Sequence, residues 1–242
     1  MRLALLSLAA LLLPGAALAD ALVPYEVSVV IGGDSYSLYD LPTVYQHGTN
    51  GGTYILDADQ DLSNGAQAVS TADYEISWSS TYDVDPFVTN LFSITNFSGL
   101  PLTIDITVTS PVVPTGPATS MMGSVGLTLT NTGGTATAST SGGIDLYTAL
   151  IDGSPVQSLM DDPYTLTEPV FTGTETDSAA FGPTGGPAAT TSIGIRIRLV
   201  LSPGDIIGVT SIFNIEADAP EPAWLGLGAL LVGLVLIRRR AA

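Results

Sequence analysis

Apolar and polar residues alternate along most of this chain. In Y-E-V-S-V-V-I (residues 25–31) and Y-E-I-S-W-S (74–79) apolar side chains recur at every second position. L-T-I-D-I-T-V-T (102–109) sets Leu102, Ile104, Ile106 and Val108 against Thr103, Asp105, Thr107 and Thr109. Residues 193–201 do the same, with Ile193, Ile195, Ile197, Leu199 and Leu201 on one side and Arg196 and Arg198 turned outward. A period of two puts successive side chains on opposite faces of an extended strand, and β-branched residues pack well there. A further strand is expected within 84–97, starting after Pro86.

Turn residues punctuate this pattern. Gly32-Gly33-Asp34 separates two short strands, and Asp152-Gly153 predicts a hairpin between 146–151 and 155–159. Ser202-Pro203-Gly204-Asp205 predicts a type II turn, expected to join 193–201 and 206–215 as the last hairpin. The Thr/Ser/Gly-rich stretch 128–143 reads as a polar edge strand plus turn, or as a flexible loop, and 111–118 and 182–187 read as long loops. No sustained helical stripe falls between residues 20 and 218. The expected fold is therefore all-β, an antiparallel β-sandwich forming one domain over 20–218.

The two ends depart from the pattern. Met1-Arg2, an apolar run over 3–13 and the small-residue site Ala17-Leu18-Ala19 predict a signal peptide over 1–19, with the mature chain starting at Asp20. At the other end, over 219–242, Pro220, Glu221 and Pro222 form a stiff extended break. Fifteen residues without a charge follow (223–237), and Arg238, Arg239 and Arg240 close the run. The run predicts a single transmembrane helix, with Trp224, Leu225, Leu227, Leu230, Leu231, Val232, Leu234, Val235, Leu236 and Ile237 as its anchor. At about 22 Å it is shorter than the hydrocarbon core of about 30 Å. Trp224 at one interface and snorkelling arginines on the cytoplasmic side extend its reach.

A Pro-Glu-Pro motif, a short Gly/Leu/Val/Ala helix and a terminal Arg cluster, in that order, resemble the PEP-CTERM sorting signal of Gram-negative bacteria. The likeness covers about the last 20 residues. It implies a Sec-exported protein held in the inner membrane by its tail, then recognised at Pro220, Glu221 and Pro222 and trimmed by an exosortase. It also implies delivery to the surface of cells that make exopolysaccharide and biofilm. Residues 74–97 and 199–215 resemble, more loosely, the β-sandwich cargo found with such tails. The resemblance implies no activity for the cargo.

Charge narrows the partners. The 242 residues hold six arginines and no lysine, four of the arginines in the two end segments. Residues 20–218 keep only Arg196 and Arg198 against 22 acids, a net charge of −20. A surface this acidic repels nucleic acid and anionic lipid, so no nucleic-acid partner is expected. Cysteine is absent, which excludes disulfides and thiolate chemistry.

Catalytic signatures are equally sparse. His47 is the one histidine, and Q-H-G-T-N-G-G around it reads as a turn-rich loop. There is no G-x-S-x-G elbow and no H-E-x-x-H zinc site. Paired carboxylates alone suffice for a glycosidase, but 22 acids yield pairs without meaning. No catalytic residue and no obligatory cofactor are expected. The best metal candidate is a Ca²⁺ loop at Asp57, Asp59 and Asp61, carboxylates at alternate positions as in an EF-hand loop. It departs from that pattern at Leu62, where Gly belongs, and at Ala68, where Glu belongs. Asp83/Asp85 and Asp161/Asp162 are weaker acidic pairs. Tyr36, Tyr39, Tyr45 and Tyr54 supply rings for stacking on sugars. The leading expectation is an exported, non-enzymatic matrix or adhesion component. A module binding extracellular polysaccharide and a carboxylate hydrolase are the alternatives.

Overall fold

The computed structural model describes residues 25–37, 43–47, 51–56, 68–83, 86–116 and 119–217, with backbone alone at 43–47, 51–56, 68–69 and 217. Sixteen strands lie among the described residues. The first seven are β1 (Glu26–Ile31), β2 (Asp34–Ser37), β3 (Thr43–His47), β4 (Gly51–Leu56), β5 (Ala68–Ser70), β6 (Tyr74–Asp83) and β7 (Phe87–Asn96). Next come β8 (Leu102–Pro111), β9 (Thr119–Thr130), β10 (Ala136–Ser139), β11 (Tyr147–Ile151) and β12 (Ser154–Leu159). The last four are β13 (Thr165–Glu168), β14 (Thr174–Gly186), β15 (Ser192–Leu201) and β16 (Ile206–Ala217).

They form two eight-stranded antiparallel sheets. Sheet A runs β12-β11-β15-β8-β1-β2, with β10 joining β15 and β13 joining β10. Sheet B runs β14-β9-β16-β7-β6-β4-β3, with β5 on β6. The alternation read from the sequence decides which face turns inward. Ile193, Ile195, Ile197, Leu199 and Leu201 of β15 are buried, as are Ile104, Ile106 and Val108 of β8 and Val27, Val29 and Ile31 of β1. Opposite them lie Ile76 and Trp78 of β6, Val88, Phe92 and Ile94 of β7, Val125, Leu127 and Leu129 of β9, and Ile207, Val209 and Phe213 of β16. Each such side chain contributes about 1.5–3 kcal/mol when fully removed from water. The two inner faces make one continuous core, the β-sandwich that the alternation predicts.

The last predicted hairpin is not one. The turn over 202–205 forms, with Gly204 at φ 80°, but β15 belongs to sheet A and β16 to sheet B. A type II turn has the wrong twist for a two-residue hairpin and splays the strands it joins. Pro203-Gly204 therefore sends the chain across the sandwich. The link from β7 to β8 crosses beside it, and Asn96 ties the two together. Its buried Nδ2 donates to the carbonyls of Leu100 (2.9 Å), Ser202 (3.0 Å) and Leu201 (3.3 Å), while its Oδ1 accepts from Ser98.

Three further expectations are corrected. Residues 128–130 end a strand flanked on both sides by β14 and β16, not an edge strand. Residues 182–186 belong to β14, whose register shifts between Phe181 and Thr184, rather than to a loop. His47 closes β3, paired with Gly52 of β4, instead of sitting in the turn. In β14 the strand signal is hidden because its side chains are largely exposed, Ala179 and Phe181 packing against the core, while its backbone is held along β9. Every regular element among the described residues is a strand, and none is a helix long and apolar enough to cross a membrane. The expected signal peptide with Ala17, Ala19 and Asp20, and the tail from Pro220 to Arg240, lie outside the described residues.

Candidate functional site

The period of two that buries Ile195, Ile197 and Leu199 necessarily sends Arg196 and Arg198 to the outer face of sheet A. On the neighbouring strand β8 the same alternation turns Asp105 outward, in register with Arg198. The aspartate nevertheless reaches diagonally to Arg196. Arg196 Nε donates to Asp105 Oδ1 at 2.8 Å, and Arg196 Nη2 pairs with Oδ2 in the fork geometry that guanidinium and carboxylate share. The hydrogen bonds it donates to Asp105, more than offsetting burial, hold the Arg196 guanidinium above its ordinary value.

Arg198 is left over. Its Nε lies 3.7 Å from Asp105 Oδ2, too far for a hydrogen bond. That atom is buried and has no hydrogen-bond partner among the described residues. Burial, followed by the charge of Arg196, pushes the Arg198 guanidinium down, while Asp105 and Asp145 pull it partly back.

Two clefts meet at this side chain. One, of about 450 Å³, is lined by Arg198, Asp145, Thr148, Gln157 and Ser158, with Ile144 and Val156 supplying apolar surface. The other, of about 300 Å³, adjoins it through Arg198 and Ile144 and carries Arg196, Asp105 and Thr140. The rim is tied down by its own hydrogen bonds. Asp145 Oδ1 accepts from the Asp162 amide (3.1 Å), Asp162 Oδ2 from the Gly143 amide (2.9 Å), and Asp161 Oδ1 from the Ser158 hydroxyl (3.1 Å). Thr140 and Tyr164 exchange bonds in the same way. The two loops that border the cleft are thus held in place before any ligand arrives.

These loops account for Asp161 and Asp162, which the sequence marks as an acidic pair. Each serves the rim, and no group of three or more potential metal ligands occurs among the described residues. Asp57, Asp59 and Asp61 lie outside the described residues, and Asp83 is described but Asp85 is not. Of the four tyrosines considered for stacking, Tyr36 packs against the core, its hydroxyl 2.5 Å from that of Tyr74. The Tyr74 hydroxyl donates onward to Asp34 at 3.2 Å. Burial first, and these partners next, push the Tyr74 phenol above its usual range. Tyr36 is therefore committed to the fold and not a free platform. Tyr45 and Tyr54 are register partners in the backbone ladder of β3 and β4, and Tyr39 lies outside the described residues.

Sequence reasoning places Arg196, Arg198 and Asp105 outward but does not join them into a site. The available signal is that the two cations of a stretch with 22 acids stand two residues apart on one strand face. Asp145, Gln157 and Thr148 carry no such signal, because only the pairing of β11 with both β12 and β15 brings them beside Arg198.

No protein-family model matches the sequence, and no curated protein matches it. Among solved structures, the chain is similar to the enzymatically active domain of tailspike protein 4 from bacteriophage CBA120, at 13% identity and a TM-score of 0.24. The match covers 62% of this chain and 19% of the tailspike chain. At that level neither fold nor activity carries over.

Proposed function

We propose that this chain is an exported, non-catalytic β-sandwich that becomes a structural component of the cell surface or of the extracellular polymer. Sec delivers it, the helix predicted over 223–237 holds it briefly in the inner membrane, and an exosortase removes the tail at Pro220, Glu221 and Pro222. One observation carries this reading. The last described strand, β16, ends at Ala217, three residues before Pro220, and pairs with β9 along its length and with β7 from Ile206 to Asn214. A cut near Pro220 would therefore release the whole sandwich without unpairing a strand. The acidic charge of residues 20–218 also suits a protein kept soluble after release.

Intact mass spectrometry of the protein from the membrane and extracellular fractions of its producing cell tests this. The expected extracellular species lacks both residues 1–19 and the tail near Pro220. A protein found only in membranes, with Arg238, Arg239 and Arg240 retained, would overturn the reading.

A further inference from the structure

We infer that the cleft beside Arg198 on the outer face of sheet A binds a neutral, hydroxyl-rich ligand, a pyranose unit of a polysaccharide chain. The inference stands on the geometry of the cleft and does not depend on how the protein is exported.

Arg198 lacks a full set of partners among the described residues. Both Asp105 oxygens are engaged by Arg196, so the nearest carboxylate leaves Arg198 without a hydrogen bond. Its Nε is buried, but the Arg198 side chain is 26% exposed and lines the cleft, so the guanidinium meets the cleft through the rest of its donors. An acceptor stands on the same cleft. Asp145 Oδ1 takes the Asp162 amide, and Oδ2 has no hydrogen bond among the described residues. The cleft thus presents a cationic donor and an anionic acceptor, with Thr148 and Gln157 able to do both and Ser158, its proton given to Asp161, able to accept.

That combination selects among ligand classes. A carboxylate or phosphate group brings acceptors only, so it meets Arg198 but opposes Asp145 and Asp105, in a domain whose net charge is already −20. A cation meets the reverse conflict at Arg198. A hydroxyl both donates and accepts, so neighbouring hydroxyls on one ring satisfy Arg198 and Asp145 together. Ile144, Pro155 and Val156 offer apolar surface for the C–H face of the same ring. The volume of about 450 Å³ falls within the usual span of small-molecule sites, roughly 300–1,000 Å³, and the adjoining cleft of about 300 Å³ extends it across Arg198. Two clefts that share Arg198 and Ile144 suit successive units of a chain.

Isothermal titration calorimetry on the purified full-length protein in detergent, with cellohexaose, maltohexaose, mannohexaose and hexagalacturonate as probes, tests the inference. At least one neutral hexasaccharide is expected to bind saturably and more tightly than hexagalacturonate. Arg198→Gln and Asp145→Asn should each weaken that binding about 10-fold, the loss expected for one charge-assisted hydrogen bond. Thr148→Phe, which fills the cleft and removes neither charge, should abolish it. Ser93→Phe, on the outer face of sheet B, should leave it unchanged. Near-UV circular dichroism verifies that each variant is folded. The inference is overturned if no neutral probe binds, if binding survives Thr148→Phe in a folded variant, or if hexagalacturonate binds more tightly than every neutral probe. The mass measurement on cell fractions is independent of all these outcomes.

Discussion

Tyr147 reaches from β11 in sheet A to donate its phenolic proton to the Ile212 carbonyl of β16 in sheet B, 2.9 Å away. The ring is fully buried, and burial pushes the phenol above its usual range. It is a polar tie between the two sheets, as are the Tyr36–Tyr74 and Tyr74–Asp34 bonds between β2 and β6. Tyr147→Phe keeps the ring and removes the tie. A loss of about 1 kcal/mol is expected, seen as a fall in Tm of about 2–4 °C by differential scanning calorimetry.

The same tyrosine explains a glycine. A Cβ at Gly123 would lie 2.6 Å from the Tyr147 hydroxyl and 2.6 Å from Phe181 Cε1. Phe181 itself packs against Tyr147 and Phe213, with ring centroids 6.4 and 6.3 Å away. Gly123→Ala should cost about 1–3 kcal/mol through overpacking, measured as a drop in the urea midpoint. Because the Tyr147 hydroxyl is one of the colliding atoms, the double variant with Tyr147→Phe should lose less than the sum of the two single losses.

Asp152 gives the domain a pH dependence. It occupies the β11–β12 turn at φ 49°, and its carboxylate accepts from the amides of Thr190, Thr191 and Ser192 and the hydroxyls of Thr190 and Thr191. Burial alone would raise its pKa, but these bonds outweigh it and hold the carboxyl well below the usual carboxylate range. A group depressed in this way stabilises the fold above its unfolded value, near pH 4, and the contribution is lost as pH falls through the lower folded value. Asp152→Asn should cost about 1 kcal/mol at pH 7, a modest figure because the turn is exposed to solvent. The gap to the unaltered protein should narrow below about pH 4. Urea titrations across pH 2–7 check both the size and the direction.

Asn96 holds both sheet-crossing links at one end of the sandwich. Asn96→Ala removes the bonds to the carbonyls of Leu100, Leu201 and Ser202, of which that to Leu201 is buried, and should cost about 1–3 kcal/mol. Asn96→Asp should be worse at neutral pH, since a carboxylate would face those same carbonyls, and part of its loss should be recovered at pH 4. Chemical denaturation at the two pH values separates these outcomes.

The sequence was readable wherever a strand has one wet and one dry face. β1, β6, β8 and β15 follow their alternation over most of their length, because apolar residues alternate there with Ser, Thr, Glu, Asp or Arg. β9 and β14 were harder. In β9, glycines at 123 and 126 dilute the pattern, and in β14 almost nothing is buried. The error at residues 202–205 has another origin. The turn type was correct, but local geometry does not say which sheet the next strand joins, and that is decided by the long-range pairings of β16 with β7 and β9. The candidate site shows the same division. The outward placement of Arg196, Arg198 and Asp105 follows from parity, whereas their junction with Asp145 needs β11 laid beside β15.

The position of β16 also sets how the domain meets mechanical load. Any pull on the chain beyond Ala217 enters the fold through an interior strand bonded on both flanks. The twelve register pairs with β9 and nine with β7 are then strained together in shear, not opened one after another as when an edge strand is peeled. A tether attached at this terminus therefore draws on the resistance of the middle of sheet B, and β14, the strand at one border of that sheet, is spared direct tension.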